Sequence, residues 1–153
     1  MVFGFDNETK AMNLEQIEVK MIKNVSADDI VELYRCAGWW QEGSDDPASI
    51  RLIAERSFAL CGAFNEAGKL VGMMRALSDG VSDAYMLDLV VHPDYRRHGL
   101  GSRVLHTLAE HLHALGIEWI VCIGAPGTEA FYQKSKGEVM HGFVPYRFFA
   151  ENE

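Results

Sequence analysis

Basic residues are scarce in this chain of 153 residues: 14 Lys plus Arg stand against 22 Asp plus Glu, a formal net charge of −8 with histidine neutral. Counterion release from a phosphate backbone needs clustered Lys and Arg, so a net-negative surface disfavours nucleic acid as the principal partner. Cysteine is scarce too. Cys36, Cys61 and Cys122 are an odd, widely spaced set with no CxxC pair, which reads as free thiols in a reducing compartment rather than a disulfide scaffold. No stretch approaches the ~18 apolar residues of a membrane span. The opening MVFGFDNETK lacks the basic start and apolar run of a signal peptide. A soluble cytoplasmic protein with no membrane partner is expected. Metal-ligand spacing is also missing: His111 and His113, two apart on a predicted helix, point in different directions, and His106 and His141 add nothing, so no metal is expected.

What is present is ordinary globular material, 48% hydrophobic and 24% charged, in a length that suits one domain with a sizeable core. Residues 1–16 show no period and are read as a lead segment or an added strand, leaving 17–153 as a single domain. Ile17, Val19 and Met21 alternate as in a strand. Ser26 with Asp29 resembles a capping box ahead of a helix that Gly38 ends, and Asp46 before Pro47 starts a second, running to about Arg56. Three strand-like runs follow, Ser57 to Phe64, Lys69 to Leu77 and Ala84 to Val91, as an antiparallel meander. Leu100, Val104, Leu105, Leu108, Leu112 and Leu115 form a helical stripe ending at Gly116; Ile117 to Ile123 reads as a buried strand; a helix over Thr128 to Lys134 and closing strands within Val139 to Phe149 finish the order. The class is α/β of the α+β type, with a mixed, mainly antiparallel sheet flanked by helices.

The stretch Leu89 to Ser102 reads LVVHPDYRRHGLGS. A strand feeds a turn bearing Arg96, Arg97 and His98, and Gly99 and Gly101 bracket Leu100 at the first turn of the helix. Helix-start amides have no internal partners and sit at the positive end of the macrodipole, so an anion is favoured there. Glycines allow close approach, and two guanidiniums add donors, which together suit a diphosphate better than a carboxylate. The loop is neither a Walker loop nor a Rossmann fingerprint, since GxxxxGK[ST] and the first glycine of GxGxxG are absent. A turn using glycines with solvated arginines is the plainer reading of the same residues.

Arg96-Arg97-His98-Gly99-Leu100-Gly101, preceded by Val91-His92-Pro93-Asp94-Tyr95, resembles the Arg/Gln-x-x-Gly-x-Gly/Ala signature of the GNAT superfamily of acyl-CoA-dependent N-acetyltransferases. Ala130-Phe131-Tyr132-Gln133-Lys134 resembles that family's A-x-x-FY-x-K pattern, and the element order over about 17–149 is similar as well. The resemblance implies that amides from Arg97 through Ser102 hold the CoA pyrophosphate. It implies also that Leu89, Val90 and Val91 pair by backbone with the pantetheine arm where two strands splay apart. Two departures stand out: Ser135-Lys136-Gly137-Glu138-Val139 replaces the usual Leu-Gly-Phe, and Gly124-Ala125-Pro126-Gly127 replaces an asparagine-bearing loop.

Acetyl transfer needs a neutral amine, a stabilised oxyanion and, optionally, a proton for the departing thiolate. Tyr132 matches the family tyrosine near the CoA sulfur and is the candidate acid, protonated at neutral pH; packing beside Phe131 is its plainer role. Amides near Val90 could polarise the thioester carbonyl. Asp88, interrupting an apolar strand, is the candidate base or else a hydrogen-bonded structural carboxylate; alternation places it with Met86 and Val90, opposite Leu87 and Leu89. Trp39, Trp40 and Glu42, with Asp45 and Asp46, offer aromatic faces and carboxylates to a cationic amine, or are core-edge tryptophans beside a solvated acidic loop. Asp79 and Asp83 read as turn formers, although with Asp88 they extend the acidic surround. Cys122 reads as a packed thiol. The reading is an acetyl-CoA-dependent N-acetyltransferase of a small-molecule primary amine, working by direct attack in a ternary complex. Its alternatives are a protein or peptide N-acetyltransferase and a non-catalytic acyl-CoA-binding module; a homodimer is compatible with all three.

Overall fold

The computed structural model describes residues 13–151, so most of the lead segment lies outside the described residues. Its end is tied down: the Arg103 guanidinium donates to the carbonyls of Leu14 and Ile17 at 3.4 and 3.0 Å. The alternating run forms β1 (Glu18–Met21), followed by α1 (Ala27–Ala37) and α2 (Pro47–Arg56). Gly38 ends α1 in left-handed geometry at φ 75°, and the Asp46 side chain caps α2 by accepting from Ala48 N–H at 3.0 Å. At α1 the expected capping box does not form. Ser26 occupies the N-cap position without a side-chain bond, and the capping box's usual Glu or Gln is Asp29, whose side chain is one methylene shorter.

β2 (Ala59–Phe64), β3 (Leu70–Ser78) and β4 (Asp83–Val91) make the predicted meander, α3 (Leu100–Ala114) follows, and β5 (Trp119–Cys122) pairs parallel to β4 at the end of the sheet. The strand order is β1-β2-β3-β4-β5, antiparallel up to β4. One face of the sheet packs on the α3 stripe through Cys61, Val71, Met74 and Met86; the other receives α1 and α2 through Leu60, Leu70, Met73 and Val90. Leu115 does not join the stripe, because it is the C-cap and turns outward before Gly116 at φ 85°.

Two expectations fail at the far edge of the sheet. β5 is not a buried strand: among the described residues it carries no strand on its outer side, and Trp119 and Ile123 are exposed. Apolar composition cannot distinguish a strand paired on both sides from one at an edge. The closing strands within Val139 to Phe149 do not form either. After α4 (Glu129–Lys134) the described chain to residue 151 has only local turns, with His141 N–H donating to Val139 O and Phe143 N–H to Met140 O. Pro145 also removes one ladder donor from that run.

Candidate active site

β4 outruns β5. Their pairing runs from Asp83↔Trp119 to Met86↔Cys122 and stops, while β4 continues to Val91, so its last five residues face no strand on that side among the described residues. The departure coincides with a bulge: β4 and β3 register as Arg75↔Leu87 and then Met73↔Val90, and Asp88 adopts φ 57°. The extra residue reverses the alternation predicted here. Asp88 and Val90 face α1, whereas Met86, Leu89 and Val91 lie on the α3 face, so Asp88 does not share a face with Met86.

At the bulge the Asp88 carboxylate accepts from Arg75 Nε at 2.6 Å and from Tyr34 Oη at 2.7 Å. The pair is mostly out of water, with side-chain exposures of 13% for Arg75 and 24% for Asp88, so the carboxylate is held rather than free. Burial, with the Asp88 carboxylate next in importance, pushes the Tyr34 hydroxyl well above its ordinary range and keeps it a donor. Arg75 Nη1 also reaches Ser57 Oγ at 3.4 Å, which in turn donates to Ile53 O at 2.7 Å, joining α2, β3, β4 and α1. Neither Arg75 nor Tyr34 was singled out from sequence. The signal was available: a lone arginine in the apolar run LVGMMRALS lies opposite the strand whose apolar interior Asp88 interrupts.

β4 leads through a short 3-10 turn (Pro93–Tyr95) into the cationic loop. Arg97 and Gly99 both take left-handed geometry, at φ 65° and 76°, and Gly99 is the N-cap of α3. Among the described residues no group accepts from the amides of Arg97 to Ser102; the first backbone bond of the helix is Arg103 N–H to Gly99 O at 3.1 Å. Alternating left-handed residues ahead of a helix make a concave set of N–H groups suited to an anion. These residues therefore fit a pyrophosphate. Among the described residues only Asp88, Arg97 and Lys136 are non-glycine residues at positive φ, and all three border this end of the sheet, where such backbone strain tends to collect.

The named residues of the loop divide by side chain. Arg97 and His98 project into solvent. Arg96 does not: its Nε donates to Val91 O at 2.8 Å and its Nη2 reaches Cys36 O at 3.5 Å, strapping the end of α1 to the end of β4. Leu100 is buried at the head of the α3 stripe and contributes only its amide to the surface. Gly101 has a packing role that sequence spacing does not show. A Cβ there would stand 3.3 Å from Phe131 Cε2 and 3.7 Å from Val91 Cγ2.

α4 thereby seats the second motif against the first. Ser102 Oγ and Ser135 Oγ lie 2.5 Å apart, and His106 Nε2 lies 2.8 Å from Ser135 O, so the buried serine that replaces an apolar residue after α4 has both polar groups matched. Tyr132 stacks edge-on with Phe131 at 5.1 Å and crosses Gly124, where a Cβ would meet its ring at 3.3 Å. Its hydroxyl has no hydrogen-bond partner among the described residues. Burial, then the neighbouring Cys122 and Tyr85, raise its pKa, so it stays protonated across the neutral range. Burial likewise raises Cys122 above the usual thiol value, as expected of a packed thiol.

The acidic loop after α1 is largely self-satisfied. Glu42 is held by Arg35 Nε, which lowers its pKa; Asp45 accepts from Gln41 N–H at 2.6 Å; and Asp46 caps α2. Trp39 is exposed and stacks edge-on against Tyr34 at 5.4 Å, while Trp40 packs on the α1–α2 core with its indole N–H buried on the Glu42 side of the loop. Asp79 accepts from Val81 and Ser82 N–H at 2.8 and 3.3 Å, as a turn former does.

Comparison with known proteins matches this architecture. "Uncharacterized N-acetyltransferase ycf52" of Porphyra purpurea is 26% identical over 136 residues, 87% of this chain and 76% of that protein. The solved structure of "Acetyltransferase, GNAT family protein SP0256" from Streptococcus pneumoniae TIGR4 superposes with a TM-score of 0.71 at 21% identity, covering 89% of this chain and 99% of that one. AAC(6')-Iy, solved with a bisubstrate analogue containing CoA, gives a TM-score of 0.66 at 14% identity over 88% of this chain and 99% of that one. No helix among the described residues is long and apolar enough to cross a membrane. A family model described as the acetyltransferase (GNAT) family matches residues 27–137, so this chain, with its splayed β4, free helix-start amides and interlocked α3 and α4, belongs to the GNAT acetyltransferase family and is an acyltransferase.

Proposed function

We propose that the chain transfers the acetyl group of acetyl-CoA to the primary amine of a small molecule, by direct attack in a ternary complex. The observation that carries this reading is the continuity between the unpaired end of β4 and the free amides of Arg97 to Ser102. An extended arm bearing neutral amides can add to the first as a strand would, while a diphosphate sits on the second. The CoA-bearing ligand of AAC(6')-Iy supports acetyl-CoA as the co-substrate.

When bound, acetyl-CoA supplies an acetyl carbon activated by its thioester. The chain's own residues do the rest. Backbone N–H groups near Val90 polarise the carbonyl; the amine nitrogen bonds to the carbonyl carbon as the carbon–sulfur bond breaks, and the departing sulfur takes the Tyr132 hydroxyl proton. The amine gives its surplus proton to water, from which Tyr132 is reprotonated; Asp88, already bonded to Arg75 and Tyr34, holds the bulge. Trp39, braced edge-on by the buried Tyr34, offers the acceptor an aromatic face, whereas Glu42 is occupied by Arg35. The exposure of Trp39 favours a second reading, a peptide amine on an open surface. The three free thiols support a reducing compartment such as the cytoplasm.

The test is a screen of small amines, polyamines and peptides with acetyl-CoA, reading thiol release, together with calorimetry of CoA binding. Turnover of a small amine with CoA bound supports the reading, turnover of peptides alone moves it to the second, and a folded protein that binds no CoA overturns it.

A further inference from the structure

Arg75 is the one Lys, Arg, Asp or Glu in β3, and its guanidinium lies mostly out of water. A buried ion pair returns little stability, because desolvation offsets the attraction, and a Met or Leu of similar volume would pack there without that cost. The bonds of Arg75 show what the charge is for. Arg75 Nε and Tyr34 Oη converge on the same oxygen, Asp88 Oδ2, one from β3 and the other from α1, while Arg75 Nη1 reaches Ser57 Oγ on its far side. Asp88 is the bulge residue at φ 57°, a conformation that a non-glycine residue keeps only when its surroundings hold it there. Two donors on one carboxylate oxygen supply that hold.

The register shows what the held residue controls. His92 N–H donates to Val71 O at 2.8 Å, so His92 and Val71 form a hydrogen-bonded pair, and antiparallel alternation makes Val90 and Met73 the next one. Val90 therefore turns its N–H to β3, while Leu89 and Val91 turn theirs to the side where β5 has stopped. Val91 O agrees with this direction, since it accepts from Arg96 Nε. The Leu89 N–H belongs to the peptide plane that begins at Asp88, so the left-handed turn of Asp88 sets its aim.

We infer that Arg75 is a positioning residue for acyl transfer: through Asp88 it holds the bulge that aims the Leu89 N–H at the thioester carbonyl, with Tyr34 as the second holder. The inference rests on the acyl-transfer reading and adds to it what fixes the direction of the oxyanion donor. Arg75 then acts on the chemical step more than on cofactor affinity, because the amides that suit a diphosphate begin at Arg97, beyond the Arg96 strap.

The experiment measures kcat and KM, with CoA affinity by calorimetry, using an amine that the wild type accepts and a temperature well below the melting of each variant. Arg75→Met should lower kcat about 100-fold, the loss that follows removal of one oxyanion donor, and change CoA affinity less than about threefold. Asp88→Ala should fall as far. Asp88→Asn still accepts both bonds and tolerates positive φ, so it should recover to within about tenfold of wild type. A packing role alone lowers the melting temperature and leaves the kcat of the folded protein unmoved; that result for Arg75→Met overturns the inference, as does a CoA affinity that falls in step with kcat. An Asn variant as slow as the Ala variant also overturns it, since the carboxylate itself would then be the base. If Arg75→Met fails to fold, Tyr34→Phe decides, because it removes one of the two bonds, strands no charge and keeps the ring against Trp39. Its kcat must fall by about threefold or more at unchanged CoA affinity, and a wild-type kcat overturns the inference. A wild type that transfers to no amine overturns the acyl-transfer reading and this inference together, whereas each outcome above overturns this inference alone.

Discussion

The loop from Arg96 to Ser102 and the loop from Trp39 to Asp46 stand on either side of the Arg96–Cys36 contact, and they dispose of their polar groups in opposite ways. In the first, the side chains are partly engaged while the backbone is free: Arg96 is tied to Val91 O and Ser102 to Ser135, yet six successive amides lack acceptors among the described residues. In the second, the acidic side chains find partners at home, Glu42 on Arg35, Asp45 on Gln41 N–H and Asp46 on Ala48 N–H. Formal charge is therefore a poor guide to either loop. On the proposed reading the cationic loop would bind chiefly through neutral N–H groups, while the acidic loop uses its carboxylates to hold its own geometry.

If that contrast is right, the largest effect comes from crowding the first loop. Gly101→Leu forces its side chain into Phe131 and Val91, and CoA affinity measured by calorimetry should fall by roughly 100-fold or more, since the amides and α4 shift together. Wild-type affinity in this variant would break the claim that the two motifs are interlocked. Next is Tyr132→Phe, which removes the one proton the proposed mechanism needs from a side chain. kcat should fall by about 10²-fold, the lower end for a general acid, with the KM for acetyl-CoA unchanged. Because burial raises the Tyr132 pKa, and the acid works only while protonated, the alkaline fall in wild-type kcat belongs above the ordinary tyrosine value of about 10. A kcat that falls below that pH, or a variant profile identical to wild type, would remove Tyr132 from the acid role.

Arg97→Glu should weaken CoA about tenfold, and by less in high salt, because an exposed guanidinium adds screened charge to a site made by the backbone. Arg96→Ala sharpens the point by contrast. Its guanidinium is a strap, so it should lower thermal stability by about 1 kcal/mol, the worth of a typical hydrogen bond, and touch CoA affinity less than Arg97→Glu does. Equal effects of both substitutions on affinity would mean that the strap opens when the cofactor binds.

The contrast also sorts what the sequence could and could not reveal. The α3 stripe, the meander and the positions of Gly38, Asp46 and Pro47 were legible because each depends on a period or a cap a few residues long. Asp88 was legible as an anomaly but not as a face, since one bulge residue cancels an alternation argument. Its partners Arg75 and Tyr34 come from 13 and 54 residues away in the chain, beyond any local pattern. Gly101 was read for the close approach it allows an anion, whereas Phe131, reached only through the fold, is what leaves no room for a Cβ. The tail after α4 was misread for a related reason: strand-like composition reports apolar content and says nothing about whether a ladder partner is at hand.

The smallest effect expected is the most telling for the acidic loop. Asp46→Ala removes the α2 cap and should lower stability by roughly 1 kcal/mol, read as a shift in the urea midpoint, without changing kcat/KM for any amine. Glu42→Gln should change KM for a polyamine less than about threefold, since surface pairs of this kind contribute little and Arg35 already engages the carboxylate. The net charge of −8 would then bear on solubility and say nothing of substrate. A tenfold rise in KM for cations alone, with neutral amines unaffected, would reverse that conclusion: the Arg35–Glu42 pair would have to open for substrate, and the loop's carboxylates would be recognition groups after all.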